Sequence, residues 1–274
     1  MLPAYASPIE KIWFWTFRAA CVLILIFLVS PLLVIIPLSF SADTFLLYPI
    51  KSYSLHWYAE FFGNPEWYNS VKNSFIVAPA STLLATALGT LAAVGLTSSN
   101  FPGKSVLMSV LISPMIVPVV IVGVGAYLFF APLGLANTYI GLILMHTALG
   151  VPFVVITVSA TLRGFNPSLI KASASLGAYP LLTYRRVVLP LIAPGVISGA
   201  LFAFATSFDE VVVTLFMAGP NQRTLPRQMF AGIRENISPA IAAAATVLIL
   251  FSIVLLLTLE WLRGRAERTR TAKA

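Results

Sequence analysis

Residues 163–190 read RGFNPSLIKASASLGAYPLLTYRRVVLP, and on both sides the chain runs without charge. Residues 105–162 contain no Asp, Glu, Lys or Arg, and residues 187–208 contain none either. A helix needs about 20 apolar residues to cross a ~30 Å hydrocarbon core. The upstream window is long enough for two crossings, and Ala131-Pro132-Leu133-Gly134-Leu135-Ala136-Asn137 breaks it in the middle. The stretch between the windows, with Arg163, Lys171, Arg185 and Arg186, is too polar to cross and too apolar for a solvated linker. It reads as a structured hairpin between two membrane spans.

The same reading extends over the whole chain. Of 274 residues, 59% are hydrophobic and 9% charged, whereas a soluble domain carries about 25% charge. Charge-free windows at 19–42, 73–103, 105–162, 187–208 and 236–259 predict six spans, at 19–40, 71–97, 106–130, 139–161, 189–215 and 239–262. The windows are continuous apolar runs rather than alternating segments, which selects helices over barrel strands. The expected fold class is all-α, a polytopic membrane protein with six transmembrane helices.

Lys and Arg set the orientation. Segments 1–18, 98–105, 161–190 and 263–274 hold twelve basic residues, and the opposite loops 41–69, 131–138 and 216–238 hold four. Both termini and the Lys171 loop are therefore expected in the cytosol. The net charge of +8 is mostly this topology signal and gives no reason to invoke nucleic acid. Trp13, Trp15, Trp57, Trp67 and Trp261 fall at or beside span ends, where interfacial anchoring to lipid expects them. The first apolar stretch is too long for a cleaved signal peptide and reads as a retained anchor. Cys21 is the lone cysteine, so no intrachain disulfide or thiolate cluster can form.

Several local patterns have two readings. Residues 54–62 look like a short amphipathic helix in the outer interface, with Ser54 as N-cap. Pro114 and Pro118 suggest a bent third span lining a pathway, although proline is also common in membrane helices. Gly195 and Gly199 form a GxxxG that suits either intrachain packing or a subunit interface. His146 lies in the middle of the fourth span, without an acid at its depth, and fits interhelical hydrogen bonding better than a proton relay. Gly103-Lys104-Ser105 imitates the end of a phosphate loop, but position 98 is Ser98 rather than glycine and no strand is expected before it. No metal-ligand spacing or nucleophile–base pattern is present, so the chain is not expected to be an enzyme or to bind a cofactor.

Within 163–190, Pro167 and Ser168 mark a helix start, Gly177 allows a sharp turn, and 179–186 form a second short segment. Lys171-Ala172-Ser173, Gly177, Val187 and Leu189-Pro190 have the spacing of the EAA loop of ABC importer permeases, which this stretch resembles. The family pattern is Glu-Ala-Ala, three residues, Gly, nine residues, Ile, one residue, Leu-Pro. Lys171 replaces the Glu, Ser173 the second Ala and Val187 the Ile. The resemblance implies the type I ABC importer permease fold, with 1–69 an added first span and outer loop, 70–262 the five-helix core, and 263–274 a basic tail. It implies that Lys171, Ala172, Ser173, Gly177, Leu189 and Pro190 couple to two ABC ATPase subunits, which would use the ATP. A second permease (a homologue or another copy) and a periplasmic or lipid-anchored solute-binding protein would complete the assembly in the bacterial inner membrane. With Lys171 in place of the acid, the contact to the ATPase must differ at that position.

Asp209 and Glu210 are the only acids between Glu66 and Glu235. At ~1.5 Å per residue from Leu189 they would lie about 30 Å across, near the outer mouth. Residues 189–219 resemble the spermidine/putrescine permease family, and paired carboxylates suit a polycation. Phe208, Asp209, Glu210, Pro114 and Pro118 are therefore candidate pathway or gate residues. The acids could equally pair with Arg223, Arg227 or the binding protein. Opine, phosphonate and iron importers have similar permeases. A self-sufficient carrier is the rival class, but the chain lacks the internal repeat and mid-membrane charges it would need.

Overall fold

Each apolar window folds as helix, because only helix satisfies every backbone polar group within one segment. The computed structural model describes residues 7–98, 100–235 and 238–271. In chain order the helices are α1 (Pro8–Leu38), α2 (His56–Gly63), α3 (Pro65–Ser98), α4 (Lys104–Ile116), α5 (Val119–Phe130), α6 (Tyr139–Arg163), α7 (Ser168–Ser175), α8 (Pro180–Thr183), α9 (Leu189–Phe208), α10 (Val212–Met217), α11 (Leu225–Glu235) and α12 (Pro239–Thr271). A π-turn at Tyr184–Val188 joins α8 to α9, and a 3-10 turn at Pro220–Gln222 precedes α11. The fold is all-α, and among the described residues the only β feature is an isolated bridge between Ser41 and Tyr53.

Four helical runs are long and apolar enough to cross a membrane: α1, α3, α6 and Pro180–Phe208. Helices α4 and α5 form a fifth candidate, bent by 107°. The expected third span is thus a broken pair, with Pro114 inside α4 and Pro118 capping α5. Val117 is extended (ψ 135°), as the residue before a proline prefers to be. The apolar part of α12, Pro239–Val254, is shorter. The fifth span corrects the expected 189–215, since α9 stops at Phe208 and a separate α10 follows.

The residues group into two units, Met1–Asn64 with Gly232–Ala274, and Pro65–Ala231. In the first, Ser7 and Glu10 form a reciprocal capping box on α1, with Glu10 N–H donating to Ser7 Oγ (3.3 Å) and Ser7 N–H to Glu10 Oε2 (2.8 Å). Trp57 Nε1–H donates to the Asp43 carbonyl at 3.2 Å, and Trp57 and Tyr58 pack on Ala240 and Ala243 of α12. Ser54 Oγ accepts the His56 N–H at 3.0 Å, just before α2. Trp57 and, in the second unit, Trp67 are buried, so among the tryptophans whose side chains are described only Trp13 and Trp15 are exposed as lipid anchors should be. The side chain of Trp261 and those of the tail 263–274 lie outside the described residues.

The second unit is built on α3, α6 and α9. Small residues set its packing, since helices in lipid associate through close van der Waals contact rather than a hydrophobic driving force. Gly150 meets Ala85 of α3 and Ala203 of α9. Gly195 and Gly199 sit against Thr161 and Thr157 of α6, and a Cβ on Gly199 would lie 2.8 Å from Val154 Cα. The GxxxG therefore packs within the chain. Its contacts run antiparallel, from Gly195 with Thr161 to Ser207 with His146.

Candidate functional site

Two parts of the second unit carry the residues singled out in the sequence. The first is the 163–190 hairpin. Asn166 Oδ1 accepts both the N–H (3.0 Å) and the hydroxyl (2.7 Å) of Ser168, which starts α7. The helix ends with Ala178 N–H donating to the Ser173 carbonyl (3.1 Å) and Gly177 N–H to that of Ala174 (2.9 Å). With Gly177 at φ +81°, this is the Schellman stop, which needs a left-handed residue at that position. Pro180 then opens α8, and the π-turn carries the chain into Leu189 and Pro190 of α9.

A contact missed in the sequence holds the hairpin closed. Ser173 Oγ and Thr183 Oγ1 are 2.7 Å apart and buried. The signal was available in retrospect: Ser173 stands where the EAA pattern has alanine. Around this clasp the apolar side chains face outward, Leu176 89% exposed, Leu181 68% and Tyr179 60%. Lys171, Ala172, Leu189 and Pro190 are exposed as well.

The second part is the break between α9 and α10. Asp209 caps α9 and is exposed, while Glu210 is half-buried and accepts the Val213 N–H at 2.7 Å, capping α10. Phe208 stacks on Phe204 (ring centroids 5.3 Å apart) and meets Phe75 of α3 edge-on at 5.7 Å. Sequence reading passed over Phe75 and Phe204, although the four-residue spacing of Phe204 and Phe208 was legible. The alternative pairing with Arg223 or Arg227 is absent among the described residues: Arg227 donates to the Ala218 and Gly219 carbonyls, and Arg223 reaches Gln228.

Buried His146 fixes the break. Its Nδ1 lies 2.8 Å from Ser207 Oγ and its Nε2 3.1 Å from Thr214 Oγ1. The Thr214 hydroxyl donates to the Glu210 carbonyl, so it accepts from Nε2–H and leaves Nδ1 to accept from Ser207. Ser207 Oγ is also 2.8 Å from Ser81 Oγ of α3. One imidazole thus joins α9 and α10 to α6, and α3 joins through Ser207. His146 is seven residues into α6, so the acids lie within about 10 Å of the level at which α6 starts. In this antiparallel register α9 ends at Phe208, short of the start of α6 at Tyr139.

The chain belongs to the family of binding-protein-dependent transport system inner membrane components, which matches residues 85–270. It is an ABC importer permease subunit and not an enzyme. It is 31% identical over 229 residues to the spermidine/putrescine transport system permease protein PotC of Haemophilus influenzae, covering 84% of this chain and 89% of that protein. It is 32% identical over 252 residues to the putrescine transport system permease protein PotI of Escherichia coli K12, covering 89% of each. Its fold matches a bacterial alginate ABC transporter solved in complex with an alginate pentasaccharide-bound periplasmic protein (TM-score 0.72, 16% identity, 93% of this chain and 95% of that one).

Proposed function

We propose that this permease forms half of a pathway for a polyamine or a similar organic cation, driven by ATPases gripping the 163–190 hairpin. The observation that carries the substrate reading is the α9–α10 break. There Asp209 and Glu210 stand without a cationic partner among the described residues, beside the Phe75, Phe204 and Phe208 rings. Acids within or at the edge of a membrane bundle are costly and mark ion or substrate paths, and aromatic faces attract alkylammonium groups. The names of the relatives point the same way.

The hairpin supplies the coupling. Its clasped, outward-apolar shape suits a helix-in-groove contact, with Lys171, Ala172, Ser173 and Gly177 on the docking element and Leu189-Pro190 leading into α9. A push on it travels along the Pro180–Phe208 run to the acids, and packed helices respond by switching between discrete arrangements. The bent α4–α5 pair, with Pro114 and Pro118, flanks the pathway and gives it room to open. In this reading both termini and the hairpin are cytosolic, two ATPases and a second permease complete the complex, and a solute-binding protein docks outside.

The test is uptake of labelled spermidine and putrescine by the assembled transporter, with competition by phosphonate, opine and ferric salts. Saturable polyamine uptake, resistant to these competitors and reduced in Asp209→Asn/Glu210→Gln, is expected. Competition by another solute class, or unchanged uptake in the intact double variant, would contradict the substrate reading.

A further inference from the structure

A polar recess of about 470 Å³ lies at the ends of α3 and α6 that the hairpin does not occupy. It is walled by the first two turns of α3, by Tyr139 and by the turn at Pro220–Arg223. Its lining is unlike the rest of this apolar chain: Glu66, Asn69, Lys72, Asn73, Arg223 and Gln228 all contribute. The acid is engaged, since Gln228 Nε2–H donates to Glu66 Oε2 at 3.1 Å. The cations are not matched to it. Exposed Lys72 has no hydrogen-bond or ionic partner among the described residues, and Arg223 Nη1 reaches only the Gln228 amide oxygen, at 3.5 Å. The charged groups that line the recess are one acid, Glu66, and two cations, Lys72 and Arg223, so positive charge is in local excess.

The walls are cross-linked by hydrogen bonds. Asn73 Nδ2 donates to the Asn221 and Arg223 carbonyls (2.9 and 2.8 Å), and its Oδ1 accepts the Tyr139 hydroxyl at 2.7 Å. From α11, just past that turn, Arg227 donates to the Ala218 and Gly219 carbonyls, directly after α10. Helix α10 carries Thr214, the ligand of His146 beside the acid-bearing break.

We propose that this recess is a docking socket for an acidic side chain of the solute-binding protein, with Lys72 and Arg223 as its recognising cations. The inference rests on the proposed importer role. A socket built by pre-bonded side chains, with surplus cations at its rim, favours a carboxylate presented by a protein surface, and rim charges act mainly through association rate and salt dependence. Seating a partner there loads the 220–223 turn, and hence α10, without any contact to the acids themselves.

The test measures binding of the purified solute-binding protein to the assembled transporter in nanodiscs, across a salt series. Lys72→Glu/Arg223→Glu should slow association about tenfold at low salt and flatten its salt dependence. Lys51→Glu, which reverses an exposed outer-loop cation that does not line the recess, should change little. Equal loss in both variants means a general field effect and overturns the socket, as does unchanged binding in the double variant. A wild-type transporter that never binds the protein would contradict the importer role itself, and so is a separate outcome. Adding phosphatidylglycerol to the nanodiscs gives a further arm: abolition of the Lys72/Arg223 effect by this anionic lipid would assign the recess to a headgroup instead.

Discussion

The 163–190 hairpin and the α9–α10 break are held together by opposite means. The hairpin is local: its start, its stop, its hydroxyl clasp and its exit are made by residues no more than ten positions apart. The break is assembled from distant parts of the chain, with His146 reaching 61 and 68 residues to Ser207 and Thr214, and Ser81 reaching 126 to Ser207. A local device keeps its shape while it is moved as a lever. A device shared by four helices changes shape when any of them moves. In the proposed role the hairpin acts as the lever and the break as the part that deforms.

Substitutions at the two regions should therefore fail differently. The largest effect is expected from Gly177→Val, because a β-branched residue at φ +81° costs about 1–2 kcal/mol or more and disfavours the Schellman stop. ATPase co-purification should be lost and ATP-driven uptake should fall at least about tenfold, with membrane insertion unchanged; retained ATPase would break the lever account. Next, Asp209→Asn should lower polyamine uptake by about tenfold, the order of one charged hydrogen bond, while the ATPase stays bound. Glu210→Gln keeps an acceptor for the Val213 N–H and should cost less. Gly199→Leu forces overpacking against Val154 and Thr157 and should destabilise the detergent-solubilised protein by about 1–3 kcal/mol, read as a lower Tm. His146→Leu is expected to be mildest in stability, about 0.6–1.7 kcal/mol as for buried interhelical hydrogen bonds, with loosened control of uptake. Equal loss of ATPase binding in all five would erase the contrast between the regions.

The same contrast explains what could be read from the chain. The hairpin was legible because Pro167, Gly177 and Leu189-Pro190 act through their own backbone, and spacing in sequence is spacing in space. The break was not, because the end of α9 depends on its register against α6. That register comes from Gly195 and Gly199 seating on Thr161 and Thr157, which hydropathy does not register. So the acids are legible but the helix break that carries them is not, and nothing in sequence brings Phe75 to Phe208. Burial of Trp57 and Trp67 was overlooked likewise, since an aromatic at a span end looks alike whether it faces lipid or another helix. Helix identity, by contrast, follows from apolar length alone, and the predicted spans are helical apart from the breaks at 117–118 and 209–211 and the last residues of the first.

The central claim is that motion enters through the hairpin from the cytosolic side. It is tested most directly with Leu176→Cys, at the 89% exposed tip, made in a Cys21→Ser background that removes the chain's one native thiol. The account predicts labelling by a membrane-impermeant maleimide in inverted vesicles stripped of ATPase, protection when the ATPase is restored, and no labelling in spheroplasts. Labelling from the outside of the spheroplast, or labelling indifferent to the ATPase, would contradict it.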